Sequence, residues 1–384
     1  MPYPVATRRL AVLSLIVMAT GMMVNFRYPY LMDFLSYWAA AILAIGGQAS
    51  SAYDVAIHHA VQERIFAFDT RMPFAYPPPF LLLILPFGLL PYWLAGAIWI
   101  GTTLSLYVAA ARRLMPEFVA AAIAFPPVIL CGIIGQNGPL TAALFIGGMS
   151  VLTKQPILAG AILGCLAIKP QLGLLLPLAF IAGREWRAFT GATIAVISLV
   201  LLSILTFGLG PWRGFFDSTA LVATITTDGL VGWYKMASVF ASLRLAGVSE
   251  PLAWAAHAGC AALAIVLVWR VWHQTTDPVA RAAILAPASV LVSPYLYLYD
   301  QVVLIVSLYW LACCGTNRWL LIVLFLLPLS SMGQFWLTDP RINLAPLLPL
   351  ALLLLIWFHP ASTAARSGRT KLRLASAENS LSLE

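Results

Sequence analysis

The sequence has 384 residues, of which 61% are apolar and only 9% charged, against about a quarter charged in soluble globular domains. Apolar stretches recur from end to end and leave no hydrophilic run long enough for a separate soluble domain, which excludes a nucleotide-sugar site on a cytoplasmic domain. The balance of +8, from 22 Lys and Arg against 14 Asp and Glu, has no basic cluster on a soluble module. Nucleic-acid binding is therefore set aside, and the excess fits cytoplasmic loops facing anionic lipid.

In chain order, Arg8-Arg9 precedes an apolar run to Phe26 with no small-x-small cleavage site after it. This predicts an uncleaved first helix over 10–26 with its N-terminus inside. Within the following segment, 27–91, the stretches from Asp33 to Ile45 and around Tyr53 to Phe66 read as amphipathic helices lying along the membrane surface. Residues 79–90 are apolar but only twelve long, and Pro86 and Gly88 interrupt them, the pattern of an interfacial or re-entrant piece. Further helices are expected over roughly 92–111, 118–134, 139–153, 156–168, 171–183, 188–208, 252–271, 281–296, 301–315, 318–332 and 344–358. The fold class expected is an all-α polytopic membrane protein with about twelve transmembrane helices.

Charge sets the orientation. If 79–90 does not span, Arg8, Arg9, Arg112, Arg113, Lys154, Arg184, Arg187, Arg270, Arg281, Arg318, Arg366, Arg369, Lys371 and Arg373 fall inside, 14 of the 22 bases. If it spans, every later segment inverts and only 7 remain inside. The positive-inside rule favours the first arrangement, with both termini cytoplasmic. Residues 1–358 then form a single membrane domain with large outer segments at 27–91, 209–251 and 333–343, and 359–384 is a disordered cytoplasmic tail, Ser/Ala/Arg-rich.

The five cysteines, Cys131, Cys165, Cys260, Cys313 and Cys314, lie in or at the end of apolar segments and form no CxxC, so they read as small packing residues. His58-His59 has no matching ligand set, and no metal or cofactor is expected. There is no GxGxxG opening a helix, Walker A loop, HExxH or GxSxG. Trp93, Trp99, Trp212, Trp233 and Trp336 read mostly as interfacial anchors.

Polar residues at membrane depth are expensive, and each is a functional candidate. In this topology Asp33, Gln136-Asn137, Lys169 with Gln171, and Asp300 all fall at outer turns. Each has a plainer alternative. Asp33 would cap the helix after it; Gln136-Asn137 would turn the chain with Gly138; Lys169 would snorkel to the interface; Asp300 would pair with a base or a tyrosine hydroxyl; and Tyr76-Pro77-Pro78-Pro79 would only stiffen the chain.

The motifs Asp33-Phe-Leu-Ser-Tyr37-Trp38…Gly47…Tyr53-Asp54, Phe74-Ala-Tyr76-Pro-Pro-Pro-Phe80, Gly135-Gln-Asn-Gly-Pro-Leu-Thr141, Ala159-Gly160…Lys169-Pro-Gln-Leu-Gly173, Gly183-Arg-Glu-Trp-Arg187, Ser238-Val-Phe-Ala-Ser-Leu-Arg244 and Ser293-Pro-Tyr…Tyr299-Asp300 together resemble glycosyltransferase family 87. The resemblance covers about residues 30–310. It implies a GT-C-type fold and an inverting transferase of the bacterial inner membrane, multi-pass, with its active site facing the periplasm. The implied donor is a polyprenyl-phosphate-linked hexose, most characteristically mannose, and the implied acceptor a glycan or glycolipid. Asp33 matches the family's catalytic carboxylate, the base that takes the acceptor proton. Lys169 is then expected beside the donor phosphate, with Gln136, Asn137, Gln171, Tyr76 and Asp300 around the sugar and acceptor. One departure is that the stretch after Ser293-Pro carries Tyr299-Asp300 where mycobacterial mannosyltransferases of the family carry histidine. The rival class is a transporter or flippase of a lipid-linked substrate; such proteins usually show inverted repeats and helices broken near midplane, whereas the polar residues here gather at one face.

Overall fold

The computed structural model describes residues 31–66, 72–230, 232–332 and 342–360. The expected helix over 10–26, the basic tail and Trp336 lie outside them. The described chain is helical throughout, with one isolated β-bridge between Met236 and Tyr297.

Among the described residues, three helices are long and apolar enough to cross a membrane: Tyr92–Leu114, Trp186–Phe207 and Glu250–Gln274. A fourth span results if Pro116–Ala124 and Pro126–Ile134, bent by 55° at their junction, count as one. The other apolar elements are shorter. Proline is the local cause: Pro126, Pro156, Pro170 and Pro278 each open a helix, where the missing N–H costs nothing, while no helix can run through from the preceding turn. Gly138–Val151 has 14 residues, about 21 Å at 1.5 Å per residue, short of a roughly 30 Å hydrocarbon core. Length and composition therefore establish a membrane protein with three or four clear spans among the described residues, alongside nine shorter apolar helical stretches.

The stretch 79–90 forms a helix, Pro78–Ile84, followed by a 3₁₀ turn, Leu85–Leu89. The segment expected to lie along the surface is buried instead. In the helix Met32–Ile45 every residue but Asp33, Ile42 and Ile45 is inside the protein. Its small residues are the reason: Ala41 lies so close to Gly88 that a Cβ there would come within 2.8 Å of the Ala41 carbonyl carbon. Phe34 and Tyr37 pack edge-on with Phe80, Phe87 and Trp99. The 18-residue helix Gly210–Thr227 leans on the 27–91 segment through Gly214 and Phe215 against Tyr53.

The tightest helix pair is Pro156–Gly164 against Trp186–Phe207. A Cβ on Gly160 would collide with the Ala188 carbonyl, and one on Gly191 with that of Ile157. Such small-residue contacts let two backbones meet, which is how helices associate when lipid offers no hydrophobic drive. Gly160→Ala is therefore expected to lower the thermal unfolding midpoint in detergent, by overpacking of about 1–3 kcal/mol. Gly101→Ala, on an open helix face, is expected to leave the midpoint where it is or raise it slightly.

Arg281 opens the helix Pro278–Val292. It is buried, donates to Glu185 at 2.6 Å and to the carbonyls of Thr275 and Trp272, and stacks on the Trp272 ring at 4.9 Å. The other end of that helix leads into the polar turn holding Asp300.

Candidate functional site

Four separate turns bring their polar side chains into one cluster. At its centre is the turn Gly135–Gly138, between the helices Pro126–Ile134 and Gly138–Val151. Gly135 has φ 78°, and a Cβ there would sit 2.5 Å from the Phe34 Cβ. A Cβ on Gly138 would sit 2.5 Å from the Tyr299 carbonyl oxygen. The two glycines thus let one turn touch the helix bearing Asp33 on one side and the segment bearing Asp300 on the other. Trp99, expected at the interface, is buried and donates to the Gly135 carbonyl at 3.0 Å; it holds this turn in place.

The Gln136 amide is oriented by its neighbours. Its Oε1 accepts from the Tyr37 hydroxyl at 2.6 Å and from the Asn137 N–H at 3.1 Å. Two donors on that side fix the oxygen there, so Nε2 faces Asp33 and donates to Oδ2 at 2.9 Å. Tyr37 has one hydroxyl proton, spent on Gln136, so Tyr76 is the donor in the 2.8 Å Tyr37–Tyr76 hydroxyl pair. Asp33 caps nothing: Leu31 occupies the N-cap position, and no side chain bonds there. Asp33 sits in the first turn, where the helix dipole favours a negative charge. It is only partly buried, so a substrate can reach it. Burial raises its pKa; the Gln136 bond and the charges of Lys235 and Lys169 pull it down, and the balance stays above the ordinary aspartate value.

The second carboxylate is different. Asp300 is fully buried; its Oδ1 accepts from Lys169 Nζ at 2.5 Å and its Oδ2 from the Tyr297 backbone N–H at 3.0 Å. Lys169 also donates to Asn137 Oδ1 at 3.3 Å and lies over the rings of Tyr299 (5.0 Å) and Tyr76 (5.7 Å). Burial works against the ammonium, but the Asp300 carboxylate and the Tyr76 hydroxyl outweigh it and hold Lys169 above the usual lysine range. Lys169 therefore does not snorkel. Its charge is balanced by Asp300, the pairing with a base that was the plainer alternative for that carboxylate.

Asp33, Tyr76, Gln136, Asn137, Lys169 and Asp300 form this one network. Gln171 does not join it: its Oε1 is buried with no hydrogen-bond partner among the described residues. Asn137 is fully buried and its Nδ2 has no partner either, leaving a donor beside the cluster. His58 and His59 do not share a site. His58 lies between the Ser36 and Met72 carbonyls, while His59 faces Glu63 at 3.4 Å.

Two residues of the cluster were missed in the sequence. Tyr37 stands four residues after Asp33, a spacing that puts both on one helix face. Lys235 is a charge neighbour of Asp33 and is set among Trp233 and Tyr234, a lone lysine among aromatics like Lys169.

A sequence model of glycosyltransferase family 87 matches residues 74–294, more than half of the chain. The match contains Tyr76, Gln136, Asn137, Lys169 and Lys235; Asp33 precedes it and Asp300 follows it. No curated protein and no solved structure matches the chain significantly.

Proposed function

The chain belongs to glycosyltransferase family 87 and transfers a sugar from a donor to an acceptor; from that premise we propose that it moves a hexose, mannose first among candidates, from a polyprenyl-phosphate donor to a glycan or glycolipid at the periplasmic face of a bacterial inner membrane. The observation that carries the proposal is the partly exposed Asp33, held as an acceptor by the Gln136 amide at the mouth of a buried polar cluster. In this reaction Asp33 takes the proton of the acceptor hydroxyl as that oxygen bonds to the anomeric carbon. The bond from the anomeric carbon to the phosphate oxygen breaks on the opposite face, giving inversion. The lipid phosphate leaves as an anion, so no second carboxylic acid is needed to protonate it. Asn137, with its unused Nδ2 donor, and Tyr76 face the sugar; Lys169 and Asp300 form a paired floor beneath it.

The orientation belongs to the same proposal: twelve crossings, both termini cytoplasmic and the cluster outside. A reach of about 20 Å for 78–89 is close to the roughly 21 Å of Gly138–Val151, so length does not separate a hairpin from a crossing here. The count of bases inside supports the hairpin.

The deciding experiment offers the full-length chain in lipid nanodiscs polyprenyl-phosphate mannose or glucose together with membrane glycolipid extract. Donor consumption and the anomeric configuration of the product are measured. Mannose transfer with inversion is expected. Movement of intact lipid-linked sugar between leaflets with no donor consumed overturns the reading in favour of a flippase.

A further inference from the structure

We infer that Tyr37 is a positioning residue for the base: its hydroxyl sets the Gln136 amide, and the amide aims the Asp33 carboxylate. The inference rests on the transferase reading above and adds a residue to that same site. A partly open carboxylate turns about its side-chain bonds until a donor holds it, and a base that is held in line with the acceptor hydroxyl works faster than one that wanders. The donor here is Gln136 Nε2, 2.9 Å from Asp33 Oδ2.

A glutamine side chain is flexible and its amide has two ends of similar shape, so the bond to Asp33 is only as well placed as the far end of that amide. Two donors meet there at Oε1, the Asn137 backbone N–H at 3.1 Å and the Tyr37 hydroxyl at 2.6 Å. The backbone N–H decides which end is the oxygen. The shorter bond, from the hydroxyl, decides where that oxygen sits. Asp33 and Tyr37 stand one turn apart on the helix Met32–Ile45. The amide therefore clasps one helix face by both its ends, its oxygen on Tyr37 and its nitrogen on Asp33.

The hydroxyl is itself held rigidly. The Tyr37 ring is 1% exposed and packs edge-on against Tyr76, Phe80 and Trp99 at 5.3, 5.0 and 5.6 Å. Trp99 also bonds the Gly135 carbonyl, so this ring and the turn that carries Gln136 share a wall. Tyr76 donates to the Tyr37 oxygen at 2.8 Å, and a hydroxyl that accepts such a bond donates more strongly in turn. Tyr76 lies 3.4 Å from Gln136 Oε1, a poor substitute for the 2.6 Å bond. Buried as it is, Tyr37 reaches the reaction through Gln136 and not by touching substrate.

The test uses the full chain in lipid nanodiscs with radiolabelled polyprenyl-phosphate mannose or glucose and membrane glycolipid extract. Tyr37→Phe keeps the ring and its packing and removes the hydroxyl alone. It is expected to lower kcat about threefold to tenfold, the worth of one neutral hydrogen bond, with KM for donor and acceptor little changed, the pattern of an interaction that matters only in the transition state. In an Asp33→Asn background the same substitution is expected to leave the residual rate within about twofold, because the group it steers is no longer a base. A Tyr37→Phe protein that turns over at the wild-type rate overturns the inference. So does an equal loss in both backgrounds, which marks a general loosening of the cluster. If Asp33→Asn itself keeps wild-type turnover, the inference falls with its base while the transferase reading stands. A wild type that consumes neither donor overturns both.

Discussion

Replacing Asp33 by Asn is expected to lower turnover about 10²–10⁴-fold, the usual worth of a general base, in a protein that inserts and folds normally. Asn matches Asp in shape, and its Oδ1 can still accept from Gln136 Nε2 as Asp33 Oδ2 does at 2.9 Å. Loss of a helix cap offers no competing explanation, because Leu31 and not Asp33 holds the N-cap position. What Asn cannot do is take a proton. Turnover near the wild-type rate, with donor consumption measured directly, would remove Asp33 from the chemistry. The pH profile gives a second reading. As the proposed base, Asp33 works only when ionised, and burial holds its pKa above the ordinary aspartate value against the lowering effects of Gln136, Lys235 and Lys169. The facing hydroxyls of Tyr37, Tyr297 and Tyr299 are themselves pushed up by burial and stay neutral across this range. Activity is therefore lost as pH falls through that raised pKa, at higher pH than a solvent-exposed aspartate would dictate. Lys235→Gln removes one of the lowering charges, so its acid limb should move to still higher pH.

The Lys169–Asp300 pair is expected to behave oppositely. Asp300→Ala leaves a buried ammonium with no counter-charge, and breaking such a pair from one side typically costs about 3–5 kcal/mol. A large fall in the thermal unfolding midpoint in detergent is the expected result. Removing both charges, as in Lys169→Met with Asp300→Leu, should recover much of that loss, because no charge is then stranded. A double-mutant cycle on the unfolding midpoints measures the coupling. Should Asp300→Ala unfold at the wild-type temperature yet lose all transfer, the pair would be chemical machinery and not a structural floor.

The sequence was informative where a local signal exists. Each expected apolar segment from 92–111 onward coincides with a helix or with a pair of shorter helical pieces, because apolar run length and proline both act locally. The polar turns at Gln136, Lys169 and Asp300 were legible as exceptions in an apolar chain. Their pairing was not. Lys169 and Asp300 are 131 residues apart, as the ion pair records, and nothing in spacing joins them. The burial of Met32–Ile45 was hidden for another reason: Ser36, Tyr37 and Ala39–Ala41 read as the weak side of an amphipathic helix, whereas small side chains are what close packing against Gly88 requires. Trp99 looked like any interfacial tryptophan, and only its bond to Gly135 shows what it does.

The turn at 135–138 has a consequence for anyone wishing to redirect this enzyme. Because its two glycines bring one short piece of backbone against both Phe34 and Tyr299, the proposed base Asp33 and the Lys169–Asp300 pair share a single mechanical mount. An added methyl group there shifts both at once and cannot retune one alone. Altered donor or acceptor choice must come from the rim, at Tyr76, Tyr297 and the Trp233–Lys235 turn, where side chains are partly open and can be exchanged one at a time. Libraries built on those positions, with 135–138 left untouched, are the ones in which new specificity can emerge without dismantling the proposed site.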